Sequence, residues 1–137
     1  MPEIPADLWA AADPVTRFVL ALDARDAERI ASAFAPEGVL HAPDGSEQVG
    51  RDAIAGYYAV RADPSVEAKH VLTRLASWAG DDGVRRTACD ALIVLGGETE
   101  GRLITGRYDF AATDAGVAWL RVRLGSTWRL VREGAAR

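Results

Sequence analysis

The chain is short of the residues that build metal and disulfide sites. Its 137 residues include one cysteine (Cys89), two histidines (His41 and His70), one methionine and one lysine (Lys69). A lone cysteine forms no internal disulfide, which excludes a disulfide-stapled scaffold and fits a reducing compartment, so a cytoplasmic location is expected. One cysteine and two histidines are too few for a conventional zinc site. Counting leaves open a facial triad of His41, His70 and one aspartate, but their spacing speaks against it. The Walker A loop, the dinucleotide fingerprint and the zincin helix are all missing. The expectation is therefore no metal and no cofactor. No apolar run approaches the ~20 residues of a spanning helix. The opening residues hold no basic segment leading into an apolar one, so no signal peptide is expected. Basic residues number 16 against 20 acidic, a net charge of −4, with no basic stripe. Neither a nucleic acid nor a membrane is expected as a partner. Lys69 apart, every basic side chain is arginine. With the abundance of alanine, that skew suggests a GC-rich bacterial coding sequence.

What is present suits a globular protein. Hydrophobic residues make up 49% and charged residues 26%, and 137 residues are enough to bury one core, so a single domain over residues 1–137 is expected. The first third reads helical. Residues 7–12 can form a short, weakly patterned helix. Asp13-Pro14 is an N-cap followed by proline at the first helical position, and Val15, Phe18, Val19 and Leu22 recur at helical spacing. Asp26 can cap a second helix, with Glu28 in its first turn. Ile30, Ala31, Ala33 and Phe34 form its apolar side, and Pro36-Glu37-Gly38 ends it. Residues 39–41 read as a short extended piece before the turn at 43–46. A third helix over residues 51–61 buries Ile54 and the Tyr57-Tyr58 region, closed by Asp63-Pro64. The remainder reads as long strands over 67–79, 84–95, 102–112 and 117–124, with 125–126 a turn or bulge before 127–132. Helices first and a strand meander second argue for an α+β fold: three N-terminal helices packed on a strongly curved, mainly antiparallel sheet that forms a cone with an internal pocket.

Three segments carry a resemblance. Residues 17–26 (RFVLALDARD) run into 30–39 (IASAFAPEGV), residues 49–58 read VGRDAIAGYY, and residues 128–131 read WRLV. Together they resemble the nuclear-transport-factor-2-like superfamily, in its SnoaL-like branch. The resemblance implies the cone fold over most of the chain, but it says little about activity, because this fold hosts many functions. The steroid isomerases of the superfamily need a tyrosine where this chain has Phe18 and an aspartate where it has Ala42, which argues against that activity. The dehydratase-like and dehydrochlorinase-like pattern fits better. It pairs an aspartate at the end of the first amphipathic helix with a histidine early in the first long strand, and Asp23 and His70 stand at those positions. In such enzymes the carboxylate orients the imidazole and the imidazole takes a substrate proton. The tyrosine that assists leaving-group departure corresponds here to Phe18, which leaves the general acid unassigned.

The chemistry of the residues is compatible with that pairing. Imidazole changes charge near neutral pH, and a neighbouring carboxylate fixes its tautomer. Alternatively, Asp23 caps the turn between helices and His70 packs in a strand. If His70 faces the pocket, strand alternation carries Leu72, Arg74, Ala76 and Trp78 with it, and turns Val71 and Leu75 outward, where they suit a dimer contact. On the next strand Ala88, Asp90, Leu92 and Val94 would face inward, with Asp90 needing a partner such as Arg74. That pair either shapes the pocket or contacts His70 and substrate. His41 lies at the expected pocket rim, as a turn residue or a second acid or base. One of Tyr57 and Tyr58 is core and the other, taken as Tyr57, offers its hydroxyl. Phe18, Trp9, Trp78, Tyr108, Phe110 and Trp119 read as core or pocket lining, and Cys89 as a small buried apolar residue. The expected site is thus catalytic Asp23 and His70, with Phe18, His41, Tyr57, Arg74, Trp78 and Asp90 around the substrate.

Three functions compete at this level. The first is a cofactor-free lyase, dehydratase-like, acting on a small, largely apolar molecule, cyclic ones included. The second is an isomerase or polyketide-type cyclase on the same scaffold. The third is a non-catalytic ligand-binding or structural subunit. A homodimer through the outer face of the sheet is expected under all three.

Overall fold

The computed structural model describes residues 3–63, 65–98 and 100–131. Pro64 and Arg132, assigned above to a helix stop and to the last strand, lie outside them, as do the first two residues. The elements run α1 (Ala6–Ala11), α2 (Pro14–Asp23), α3 (Ala27–Ser32), β1 (Phe34–His41), β2 (Glu47–Val49), α4 (Arg51–Ala59), β3 (Glu67–Ala79), β4 (Arg85–Gly96), β5 (Glu100–Thr113) and β6 (Gly116–Val131). The two aspartate caps form as their positions suggest. Asp13 accepts from the Thr16 N–H at 2.7 Å and Asp26 from the Arg29 N–H at 3.1 Å.

The six strands make one mixed sheet in the order β2-β1-β6-β5-β4-β3. β1 runs parallel to β6, and every other neighbouring pair is antiparallel. The fold is α+β, with three helices ahead of β1 and the fourth between β2 and β3. Its core is the layer where the helices meet the sheet. Phe18, Ala21 and Leu22 of α2, Ile30 and Ala31 of α3, and Ile54 and Tyr57 of α4 face Leu40, Cys89, Ala91, Ile93, Tyr108, Phe110, Leu120 and Val122 of the strands. Phe18, fully buried, sits at the centre. Its ring lies 5.7 Å from Phe34, 5.8 Å from Phe110 and 6.3 Å from each of Tyr58 and Tyr108, mostly edge to face. The Cys89 thiol is enclosed in the same layer, and burial pushes its pKa up to about 11.

Two boundaries differ from the sequence expectation. The second helix stops at Ser32, and Phe34 begins a strand instead of completing an apolar helical side. The cause is tertiary pairing. Phe34 aligns with Val117, the ladder then shifts register, and it resumes at Val39 opposite Trp119. Pro36, with no N–H to give, lies inside that irregularity. The segment from 116 to 131 is one strand, with residues 125–126 forming a bulge between Leu124 and Thr127.

β3 carries a second irregularity with larger consequences. Thr73 pairs with Asp90 but Ala76 pairs with Ala88, so Arg74 and Leu75 together oppose Cys89. Arg74 adopts φ +48, a left-handed conformation. This is a β-bulge, which shifts alternation by one residue. Below it His70 pairs with Ile93. Carried from the Gly80–Gly83 turn without a bulge, the register would set His70 opposite Val94. The β4 side chains that share the inner face with His70 are therefore Ile93 and, alternating along that unbroken strand, Ala91, Cys89 and Thr87, not the expected Ala88, Asp90, Leu92 and Val94. Among the described residues no helix is long and apolar enough to cross a membrane.

The β5–β6 turn packs against the start of β1. Gly116, at φ +125, lies so close that an added Cβ would sit 2.7 Å from the Phe34 carbonyl carbon, and next to it the Val117 N–H donates to the Ala33 carbonyl at 2.9 Å. Gly116→Ala should lower the unfolding free energy in urea by ~2 kcal/mol or more. Gly45→Asn, at an open turn with φ +87, should change it by less than ~1 kcal/mol.

Candidate active site

Asp23 ends α2, and His70 is the fourth residue of β3, an edge strand. An edge strand leaves alternate N–H groups without a ladder partner. At His70 that group is met by the Asp23 carboxylate, whose Oδ1 accepts from the backbone N–H at 2.9 Å. The same oxygen lies 2.7 Å from His70 Nδ1. An ionised carboxylate only accepts hydrogen bonds, so Nδ1 carries the proton and Nε2 is left as the basic nitrogen of a neutral ring. Both side chains are largely sheltered, His70 8% and Asp23 18% exposed, and Lys69 Nζ stands 3.9 Å from the other carboxylate oxygen.

His70 lines a cavity of about 210 Å³ between the helices and the sheet. Most of its wall is apolar, with Leu22, Ile30, Ile93, Leu95, Ile104, Val122 and Leu124. All three tyrosines of the chain, Tyr57, Tyr58 and Tyr108, line it as well. Tyr57 and Tyr58 both reach it because neighbouring residues on a helix are ~100° apart, and the two rings sit 5.1 Å apart. Among the described residues no hydrogen bond ties the Tyr58 or Tyr108 hydroxyl, and no sealed side-chain oxygen lacks a partner. Both residues border the cavity, and neither hydroxyl is sealed from it by a protein partner. Burial raises the pKa of all three phenols, that of Tyr58 well above its ordinary value. Neighbouring phenols add to the rise at Tyr58, and the negative charge of Asp23 adds to it at Tyr108. The tyrosines are thus held as O–H donors at neutral pH. Arg25 and Arg61 complete the polar part of the wall. Arg61 lies over the Tyr57 ring at 3.7 Å and reaches Asp44 at 3.2 Å.

The structure brings together Asp23, His70 and Tyr57 but disperses the other expected site residues. Phe18 is sealed in the core behind the cavity and is not part of its wall. His41 turns to the opposite face of the sheet because its neighbours Leu40 and Ala42 take the buried side. There it lies 5.4 Å from the Trp119 ring and 3.8 Å from Glu47. The β3 bulge accounts for the remaining three. Arg74 and Asp90 do pair, but on the outer face, in a groove shared with Arg107 and Arg123. Trp78 lies beyond the bulge, half-exposed, in another outer groove with Arg86, Trp119 and Arg121. Tyr58 and Tyr108 were missed as polar wall residues. The Tyr57-Tyr58 pair was visible, but placing Tyr108 requires the pairing that sets it opposite buried Cys89. Among the described residues no three His, Cys, Asp or Glu side chains gather in a way that could hold a metal ion.

The SnoaL-like domain family matches residues 6–132. The chain belongs to that family. Several solved structures share its architecture at low identity. A hexachlorocyclohexane dehydrochlorinase, LinA-type3 from Novosphingobium barchaimii, has a TM-score of 0.72 and 17% identity, over 91% of this chain and 90% of that one. A protein assigned as a scytalone dehydratase, from Novosphingobium aromaticivorans, has a TM-score of 0.72 and 14% identity, over 84% and 81%. Rv3472 of Mycobacterium tuberculosis, of unknown function, has a TM-score of 0.70 and 22% identity, over 82% and 68%. At such identities the likeness establishes the nuclear-transport-factor-2-like fold alone. No curated protein matches the chain.

The raised phenol pKa values make a stability prediction for this SnoaL-like domain. Unfolded tyrosines ionise near pH ~10 while the folded ones retain their protons, so above that pH the folded state binds more protons than the unfolded. Stability then falls as pH rises through the alkaline range. Urea unfolding at stepped pH should show this fall, and Tyr108→Phe should flatten it. A slope unchanged by the substitution would contradict the assignment.

Proposed function

We propose that this chain is a cofactor-free lyase that eliminates water, or a comparable leaving group, from a small and largely apolar molecule, with cyclic compounds suited to the cavity. One observation carries the proposal: an imidazole oriented by a carboxylate borders a hollow, mostly apolar space. His70 Nε2 removes a proton from the carbon next to an electron-withdrawing group. Asp23 holds the ring and stabilises the imidazolium that forms. The carbon–oxygen bond then breaks. The departing oxygen takes a proton from a wall tyrosine, Tyr58 or Tyr108 (in place of the tyrosine missing at Phe18), and leaves as water. Return of the histidine proton to the phenolate closes the cycle. The bulges in β3 and β6 support a sheet curved into a cone around this space. The fold relatives named for dehydratase and dehydrochlorinase activity support an elimination over other outcomes. Isomerisation or ring closure would share the base and differ only in the fate of the carbanion after proton removal. A purely structural subunit is the weaker alternative, since the cavity is hollow and not filled by side chains.

The exposed apolar side chains Val71, Trp128 and Leu130 on the outer sheet face suit a second copy of the chain. Sedimentation should give twice the chain mass, and a monomer at micromolar concentration would contradict that assignment.

Small hydroxy carbonyl compounds are the substrates to screen, by the ultraviolet change that accompanies a new conjugated double bond. On any compound turned over, His70→Ala should lower kcat by ~10²–10⁴. Asp23→Asn, which supplies the wrong donor pattern to the ring, should lower it by ~10-fold or more. Both variants should keep a cooperative unfolding transition. A folded His70→Ala variant with full activity would refute the proposal.

A further inference from the structure

Arg25 stands out on three independent counts. First, it is a non-glycine residue at φ +58, in the turn between α2 and α3. Glycine occupies such a left-handed position without steric cost, whereas an arginine is strained there. The turn itself does not need this side chain. Second, the half-buried Arg25 lines the same cavity as His70. Third, among the described residues no carboxylate lies within salt-bridge distance of its guanidinium. Among the described residues its one side-chain hydrogen bond runs from Nε to the Asp63 carbonyl at 3.4 Å, which leaves the terminal nitrogens available. Asp23 is occupied by His70 and Lys69. The second wall arginine is engaged differently, with Arg61 bonded to Asp44 and to the Tyr57 carbonyl.

Arg25 adds to the lowering of the Asp63 carboxyl pKa, but no ion pair joins the two within 4 Å, so the guanidinium has room to pair closely with an anion entering the cavity. A guanidinium with free terminal N–H groups matches a carboxylate best, by two parallel hydrogen bonds. We infer that Arg25 docks a carboxylate of the substrate, so that the molecule processed is a small apolar acid with its ring in the cavity and its charge at Arg25. This inference rests on the cavity being the substrate site. It adds the substrate class and a specificity-determining residue, and does not depend on proton transfer by His70.

Benzoate and its neutral isostere benzamide serve as probes, titrated by NMR against the wild-type chain and the Arg25→Gln, Arg25→Gly and His70→Ala variants. Wild type should bind benzoate at least ~10-fold more tightly than benzamide. Arg25→Gln and Arg25→Gly should both remove that preference while leaving benzamide binding unchanged. His70→Ala should retain the preference, so a failure of the catalytic proposal and a failure of this one are told apart. Arg25→Gly should unfold at the same temperature as wild type or higher, since glycine relieves the strained turn. Equal binding of the two probes to wild type, no benzoate binding at all, or an undiminished preference in either Arg25 variant would overturn the inference.

Discussion

One carboxylate joins the two halves of the site. Asp23 terminates a helix, and its Oδ1 takes both the backbone N–H and the ring N–H of His70 across 47 residues of chain. The first bond satisfies an edge-strand donor that has no ladder partner. The second sets the tautomer of the only histidine that borders the cavity. A hydrogen bond to a charged acceptor is stronger than a neutral one, and here two of them converge on one oxygen. The seating of α2 against β3 and the orientation of the proposed base thus depend on the same atom. Removing the carboxylate would disturb both, so the two effects are separable only by measurements that report on the ring itself.

The space next to this pair is a departure from close packing. An interior normally fills its volume, and unfilled apolar space costs stability. Here the surrounding elements present large, stiff side chains edge to edge around Phe18, and the hollow persists beside them. Its polarity is concentrated in a few groups: one imidazole, three phenols and two guanidinium groups. The phenols keep their protons because charge is disfavoured in such surroundings. A site of this composition can accept a proton at the imidazole and donate one from a phenol. Those are the two transfers an elimination requires.

The outline of the fold was legible because its signals are local. Asp13-Pro14 and Asp26 start their helices, the glycine-flanked turn at 80–83 closes the β3–β4 hairpin, and β3 spans the residues its pattern predicts. The pairing of Asp23 with His70 was legible only through resemblance, since 47 positions separate them and no periodicity connects them. What could not be read was non-local. One extra residue at Arg74–Leu75 puts β3 out of phase with β4 across the bulge, so that Asp90 and Trp78 both lie on the outer face although His70 faces inward. The pattern of β3 carries no glycine or proline to announce it. β1 begins at Phe34 because β6 is there to pair with it, although the stretch before Pro36 has the composition of a helix. Tyr108 and Arg25 reach the cavity through strand register and through a strained turn, neither of which composition encodes.

The most direct test is ¹⁵N NMR of the His70 ring, followed through pH in wild type and in Asp23→Asn. In the neutral ring the account predicts a protonated Nδ1 with a hydrogen-bonded proton and an unprotonated Nε2, and a change in that tautomer balance when the carboxylate becomes an amide. A neutral ring protonated on Nε2, or a spectrum indifferent to the substitution, would contradict it.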